Sequence, residues 1–448
     1  MSIQLRPYQQ RAIDDLRAAY QRGRRAPLLV APTGSGKTTV AAWIIKSALD
    51  LGNTSLFCAG RVELVNQTAA TLRRAGVPSI RVIQANRDEG PPDAPVTVAS
   101  IDTLRACSEL PQAKLLVLDE AHHGAARTWA GIWAGVRNSS PGARLLGLTA
   151  TPERGDGRAL ELFDELVTGP TVAELTALGS LAPLRIWAPP SWLEAGKLAL
   201  DPLTAYQQHA AGQRVVVFCG TVAHAREVLA QFTAAGISAD IVTGTTPSKR
   251  RAAALLRFTA GELTALINCG VLTEGWDDPE IAFGIVARRI GHAGLWLQIA
   301  GRLLRAAPGK RHATLLDLAG NVHEHGPPDL PRSYSLTGRG IRPAAVRDAI
   351  RQCTGCGSVA LAGPPSCPYC GTEYPLQQRA QPRITGAELR DVTGQAPAPR
   401  REYVVTIASK YRGTCAECGR GYARGDRIFW ATLSKKAKHV DCRRSVAA

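Results

Sequence analysis

The stretch APTGSGKTT, residues 31–39, limits the possible folds more than any other part of this sequence. An apolar run, PLLVA at 27–31, leads into it, and a helical pattern opens directly behind it. Gly34 and Gly36 allow a turn tight enough to aim backbone N–H groups at an anion, and the helix behind adds the positive end of its dipole. Such a turn needs a strand to deliver it and a helix to receive it, which is the geometry of a parallel sheet covered by helices. Thr33, Gly34, Ser35 and Gly36 would form the phosphate cradle, Lys37 would reach the β- and γ-phosphates, and Thr38 would ligate Mg2+. Only Ala31 departs from the strict pattern, at a position that serves turn geometry and not phosphate charge.

The alternation continues along the chain. Apolar segments at 27–31, 55–59, 80–84, 96–99, 114–118 and 144–148 read as strands, with helical patterns such as 38–49 and 62–75 between them. After a stretch rich in Pro, Ala and Leu, a second series follows at 214–218, 238–242, 264–267, 281–286 and 312–317. Strands alternating with helices imply α/β domains, and 448 residues are too many for one core. We therefore expect two parallel-sheet domains in tandem, 1–167 and 213–322, joined by 168–212. Residues 323–348 and 376–401 are rich in Pro, Gly and Arg and read as linkers around two small cysteine modules, 349–375 and 402–448. No apolar run is long enough to cross a bilayer, and the N-terminus lacks the apolar core of a signal peptide. Both features predict a cytoplasmic protein with no membrane partner.

A second stretch, KLLVLDEAHHG at 114–124, ends an apolar strand in two carboxylates and two imidazoles. The C-terminal edge of an open α/β sheet is where ligands bind. In a fold with a phosphate loop, a strand ending in Asp119 places a carboxylate near Mg2+, and Glu120 is then positioned to orient or deprotonate a water. The metal's own charge keeps Asp119 ionised.

These motifs resemble those of the superfamily 2 helicases, and the resemblance runs in order from about residue 3 to 320. LRPYQQRAI (5–13) resembles the adenine-reading segment, with Gln9 as the amide that pairs with the base. CAGRVELVNQ (58–67) and VTVASIDTL (96–104) resemble the nucleic-acid-facing motifs of the first domain, and GLTATPER (147–154) resembles the coupling motif that follows Asp-Glu-Ala-His. VVVFCGTVAHA (215–225), GVLTEGWDDP (270–279) and QIAGRLLR (298–305) resemble those of the second. The resemblance implies two RecA-like domains that bind ATP between them. It assigns coupling roles to His122, Thr149, Thr151 and Gln298, a ribose contact to Asp277, and nucleic-acid backbone contacts to Arg61 and Thr273. Residues 294–305 read as one helix with Gln298, Arg302 and Arg305 on a single face, which makes the two arginines fingers for the γ-phosphate. His123 reads as a surface or packing residue.

Charge and cysteines describe the tail. The formal net charge is +17, which favours a polyanionic partner. From Pro331 to Ala448 there are 20 Lys and Arg against 8 Asp and Glu, and seven of the eleven cysteines. In a cytoplasmic chain, paired CxxC motifs point to metal and not to disulfides. Cys353, Cys356, Cys367 and Cys370 have the spacing of a closed four-thiolate zinc site, and Cys415, Cys418, His439 and Cys442 supply a second set. Around the second set, Tyr411, Tyr422, Phe429 and Trp430 stand among Arg420, Arg424, Arg427, Lys435, Lys436 and Lys438. That mixture suits stacking on bases and attraction to phosphates. Cys58, Cys107, Cys219 and Cys269 read as buried small apolar residues. The expected activity is nucleic-acid-dependent ATP hydrolysis with strand movement or unwinding, requiring ATP, Mg2+ and two zinc ions. DNA is favoured because nothing after residue 320 resembles the long extra domains of DEAH-type RNA helicases; RNA is the alternative substrate. An ATP-gated clamp that grips without moving would use the same nucleotide residues, whereas a zinc hydrolase conflicts with four-cysteine sites that leave no open position.

Overall fold

Runs of four to six apolar, largely branched residues make the strands of two sheets, and the amphipathic segments between them make the covering helices. The structure is a computed structural model. It describes residues 4–85, 87–107, 109–122, 126–152, 159–190, 193, 197–272, 276, 278–337, 350–361, 365–374, 404–409, 413–423, 425–431 and 437–439.

The first sheet holds β1 (Pro27–Val30), β2 (Ser55–Ala59), β3 (Ile80–Gln84), β4 (Arg87–Glu89), β5 (Val96–Ser100), β6 (Leu115–Leu118), β7 (Arg144–Thr149) and β8 (Glu165–Thr168). Their order is β4-β3-β5-β2-β6-β7-β1-β8. All pairings are parallel except the β3–β4 hairpin. Helices α1 (Pro7–Gln21), α2 (Lys37–Asp50), α3 (Val62–Arg74), α4 (Ile101–Ala106) and α5 (Ala126–Ser139) connect the strands. Alternation along each strand divides the core. Leu29, Phe57 and Val117 pack with α1, α2 and α3, while Leu28, Leu56 and Leu116 pack with Trp129, Ile132 and Trp133 of α5.

The second sheet holds β9 (Leu184–Trp187), β10 (Val215–Cys219), β11 (Ala239–Thr243), β12 (Ala265–Cys269), β13 (Phe283–Ala287), β14 (Ala313–Asp317), β15 (Ile350–Gln352) and β16 (Ser358–Leu361), in the order β11-β12-β10-β13-β14-β9-β16-β15. Its helices are α6 (Val172–Ala177), α7 (Pro202–His209), α8 (Val222–Ala234), α9 (Ser248–Thr259), α10 (Ala293–Leu303) and α11 (Val322–His325). The stretch 168–212, expected only as a connection, thus contributes β9 to this sheet. Only Ile186 of its four residues is buried, and in the sequence Arg185 and the prolines at 183, 189 and 190 interrupt the apolar run. The first cysteine module is no separate bead either: β16 pairs antiparallel with β9 and extends the sheet. After α11 the chain returns to the first domain, where Leu160 N donates to Leu336 O at 2.8 Å and Tyr334 joins the apolar core.

Residues 377–448 form a second compact unit. It contains β17 (Val404–Ala408), β18 (Gly413–Thr414), β19 (Gly421–Tyr422), β20 (Arg427–Ala431) and β21 (Ala437–His439), arranged as a three-stranded β17-β20-β21 sheet and a β18-β19 pair. Among the described residues no helix is long and apolar enough to cross a membrane. Of the four cysteines expected to be buried, Cys58 and Cys219 are, Cys269 is half-buried and Cys107 is exposed. Cys107 falls just past the end of the six-residue α4, where the chain becomes extended and leaves the core.

Candidate functional site

The sheet edges and loops of the two α/β domains enclose a cleft of about 530 Å³, a size suited to a nucleotide-sized ligand. Its first wall carries the 33–38 loop, Gln9, Asp119 and Glu120; the facing wall carries Pro279, Arg302, Arg305 and Ala306. Gly34 and Gly36 have φ of 87° and 81°, a region where side chains are strained. Neither has room for one. A Cβ on Gly36 would collide with the Gln9 amide, and one on Gly34 would lie 2.9 Å from Leu181. Helix α2 begins at Lys37, so the N–H groups at its start lack helical partners, and Lys37, Thr38 and Thr39 line the cleft. Gln9 is buried and braces the loop: its Nε2 donates to Ser35 O at 3.2 Å, and its Oε1 accepts from Arg6 N at 3.0 Å.

Lys37 Nζ donates to Ala31 O at 2.8 Å and Pro32 O at 3.3 Å. Burial pushes its ammonium below the ordinary lysine range, the Glu120 and Asp119 carboxylates pull it back up, and Arg302 and Arg305 push it down. A triphosphate would supply the counter-charge that this cluster of cations calls for. Thr38 and the buried Asp119 line the same wall, offering the hydroxyl and carboxylate oxygens that a hard cation takes. Glu120 adopts φ 47°, rare for a residue with a side chain. The turn lets Asp119 and Glu120 face the cleft while Ala121 N returns to the sheet and donates to Leu148 O at 2.9 Å. Glu120 Oε2 is buried with no hydrogen-bond partner, an acceptor position suited to a water.

Behind Glu120 runs a buried chain of hydrogen bonds. Gln298 Nε2 on α10 lies 3.0 Å from His122 Nε2, and an amide NH2 can only donate. With that amide donating, His122 Nε2 accepts, and its Nδ1 lies 2.8 Å from Thr149 Oγ1. Thr149 Oγ1 in turn donates to Thr151 O at 2.7 Å and accepts from Thr151 N at 3.1 Å. Glu120 Oε2 lies 3.5 Å from the same His122 Nδ1. Four residues that the sequence marked for coupling thus form one connected unit spanning both domains.

The arginines are placed differently from the expectation. Helix α10 ends at Leu303, not 305. Leu304 turns its carbonyl to accept from Ala182 N at 2.7 Å, and Arg305 forms an antiparallel bridge with Leu181. Backbone pairing with 181–182 and burial of Leu304 beside Leu175 and Leu181 end the helix early. Both arginines still reach the cleft, Arg302 from the helix and Arg305 from the bridge. Arg302 Nη1 donates to Trp276 O at 2.7 Å. Burial pushes Arg305 down to about 10, which leaves it charged at neutral pH. Arg61 sits at the N-terminus of α3 and donates from Nη1 to Val271 O at 3.0 Å, across the two domains. Thr273, Asp277 and His123 lie outside the described residues.

Two residues of the site carried no functional reading in the sequence. Gly301 on α10 presses against the phosphate loop: a Cβ there would lie 2.7 Å from Thr33 Cβ. A glycine inside an amphipathic helix is the signal that could have flagged it. Leu181 packs on Gly34 and bridges Arg305, and nothing in its local sequence distinguishes it.

The four thiols of Cys353, Cys356, Cys367 and Cys370 lie within 4.8 Å of one another. Sγ separations are 3.6 Å for Cys353–Cys370 and 3.7 Å for Cys356–Cys367, close to the ~3.8 Å that tetrahedral Zn–S bonds of ~2.3 Å require. Both CxxCG turns share one geometry, with Gly357 N donating to Cys353 O at 2.8 Å and Gly371 N to Cys367 O at 2.9 Å. The Thr372 hydroxyl and backbone hold the Cys370 thiol down to about 6, favouring the thiolate that binds metal. The donor set fits a structural zinc ion. Cys415 repeats the turn, with Gly419 N donating to its carbonyl at 3.0 Å, and Ala416 N donates to Ala437 O at 2.8 Å. The backbone of His439 closes β21, but its side chain and Cys442 lie outside the described residues, as do Tyr411, Arg424, Lys435 and Lys436.

Residues 2–154 match the family of type III restriction enzyme res subunits, and residues 198–307 match the helicase conserved C-terminal domain. A "51.5 kDa protein" of a Lactococcus phage is 27% identical over 81% of this chain and 81% of its own length. A protein of Schizosaccharomyces pombe named for the mitochondrial ATP-dependent helicase irc3 is 30% identical, over 72% of this chain and 58% of its own. A Halobacterium salinarum protein named for the DNA 3'-5' helicase Rad25 is 28% identical, over 76% and 58%. This chain therefore spans less than two thirds of the last two. In fold it is similar to a fragment of a type I restriction enzyme HsdR subunit from Vibrio vulnificus YJ016, with TM-score 0.55 and 23% identity over 75% of this chain and 69% of that one. It is also similar to Saccharomyces cerevisiae Dbp5 bound to RNA, with TM-score 0.52 and 16% identity over 74% and 94%.

Proposed function

This chain is an ATP-hydrolysing superfamily 2 helicase of the restriction-translocase-like branch, and from that premise we propose that it moves along DNA by closing and opening the cleft between its two α/β domains. The hydrogen bond from Gln298 to His122 carries the reading. It joins the second domain directly to the neighbour of Glu120, so a change at the reacting phosphate and a change in domain geometry are one event.

In this cycle the 33–36 loop and Lys37 hold the triphosphate, and Gln9 would pair with the base. Thr38 and Asp119 would hold Mg2+, which when bound neutralises charge on the β- and γ-phosphates. Glu120 orients the attacking water with its free buried oxygen. Arg302 and Arg305 stabilise charge at the γ-phosphate, a contribution of ~10³–10⁵ in rate in other phosphoryl-transfer enzymes. Once phosphate leaves, the arginines lose their anion, and the two domains separate and shift their grip on the strand. Arg61 and Thr273 would contact the nucleic-acid backbone and Asp277 the ribose, as the resemblance implies.

DNA is preferred over RNA because the matched family is a restriction enzyme subunit and the archaeal relatives are named as DNA helicases. The basic second unit would add phosphate attraction, folded around a second zinc held by Cys415, Cys418, His439 and Cys442. Its CxxCG turn copies those of the first site, and the 416–437 hydrogen bond brings β21 beside it. The test is ATP turnover alone and with single-stranded DNA, duplex DNA and single-stranded RNA, at two salt concentrations because phosphate contacts weaken with salt. We expect stimulation by DNA and displacement of a labelled strand. Stimulation by RNA alone would reverse the substrate, and turnover without displacement or movement would leave a clamp.

A further inference from the structure

We propose that the four-cysteine ribbon is a positioning element for Arg305, acting through β9. The ribbon grips β9 residue by residue. Tyr369 Oη donates to Leu184 O at 2.7 Å, and Arg185 Nη2 donates to Tyr369 O at 3.4 Å. Val359 pairs with Ile186 and Ser358 with Trp187. The Trp187 ring fills the space a side chain on Gly357 would need, with ring carbon 2.9 Å from that Cβ position, and Gln352 Nε2 donates to Ala188 O at 2.9 Å. Without the ribbon, β9 would be a four-residue edge strand paired only with β14, and such strands are poorly held.

The other end of that segment sets the arginine. Leu181 lies three residues before β9, bridges Arg305 and packs on Gly34 of the phosphate loop. Ala182 N bonds Leu304 O, and Leu181 and Leu184 share one small apolar cluster with Tyr8 and Leu304. Because α10 stops at Leu303 and only the cap bond from Leu304 N to Ala300 O ties the next residue to the helix, the backbone of Arg305 depends also on its bridge to Leu181. A displacement of β9 is therefore passed to Arg305, and misplacing a group at a reacting centre by about 1 Å can cost ~10²-fold in rate. This inference rests on the proposed role of Arg305 at the γ-phosphate. It separates two jobs for the ribbon. A ribbon that only touches nucleic acid matters only when nucleic acid is present, whereas a positioning ribbon matters to basal turnover.

The full-length chain is assayed for ATP turnover without nucleic acid, for binding of a fluorescent ATP analogue, for zinc content and for amide exchange at 181–187. The variants are Tyr369→Phe with Gln352→Ala, which leaves all four thiols, Cys356→Ser, and Arg305→Ala. We expect the double variant to keep its zinc and its nucleotide affinity, to lose about tenfold in kcat with KM unchanged, and to exchange faster at 181–187. Cys356→Ser should reproduce the loss together with one zinc fewer. Basal turnover and exchange unchanged in both, with only the nucleic-acid-stimulated rate reduced, would overturn the inference. Basal turnover unchanged in Arg305→Ala would sink the γ-phosphate reading and this one with it. A low rate in Arg305→Ala beside full activity in the double variant would sink this one alone.

Discussion

At the residue scale, Glu120 holds the left-handed backbone that makes the site. That conformation costs a side-chain-bearing residue about 1–2 kcal/mol, and here it lets two adjacent carboxylates face the cleft while the chain continues into His122. The arrangement separates holding nucleotide from cleaving it. Glu120→Gln keeps the shape and the backbone and should still bind the fluorescent ATP analogue, while kcat falls by ~10²–10⁴, the range of a general base. Lys37→Ala should lose both binding and turnover, because Lys37 is the cation next to the loop's amides. Full ATPase activity in either variant would remove that residue from the chemistry.

At the element scale, α10 works by proximity. Two of its glycines let it approach the first domain: Gly301 faces Thr33, and a Cβ on Gly294 would lie 3.0 Å from Thr151 Oγ1. Gln298 between them makes the His122 bond, so the helix reads both the phosphate loop and the coupling chain. Gly301→Val places its added carbons against Thr33 and should hold the cleft open. We expect kcat to drop about tenfold or more, since orientation terms of this kind are steep, with little change in melting temperature because no core contact is removed. Unaltered kcat would mean that this approach is not needed for turnover.

For the whole molecule, the two units differ in charge and in the metal proposed for each. Residues 377–448 carry 15 Lys and Arg against 6 Asp and Glu, so a chain ending at 376 should bind DNA with a flatter dependence on salt, fewer counterions being released. The same truncation should hold about one zinc where the full chain holds about two, by metal analysis of each purified protein. Equal zinc in both chains would dismiss the second site.

The sequence carried most of the strand pattern and the phosphate loop, because these depend on local rules: apolar runs make buried strands, and glycines are needed where φ is positive. Segments 55–59 and 80–84 match β2 and β3 end to end. It missed β4, whose three residues are all exposed, and β9, of which only Ile186 is buried; pairing decides such segments, not hydrophobicity. It extended α10 to 305, since nothing local announces that Leu304 will bond a backbone 122 residues earlier in the chain. The residue types at 31–39 and 114–123 specified a nucleotide site from the linear chain alone, as phosphate and metal chemistry demand those groups at that spacing. Tertiary structure alone decided who touches whom across the cleft: Gln298 with His122, Gly301 with Thr33, Leu181 with Arg305, and the ribbon with β9. Those contacts depend on how two separately specified sheets are set against each other, and that is a property of packing between distant segments.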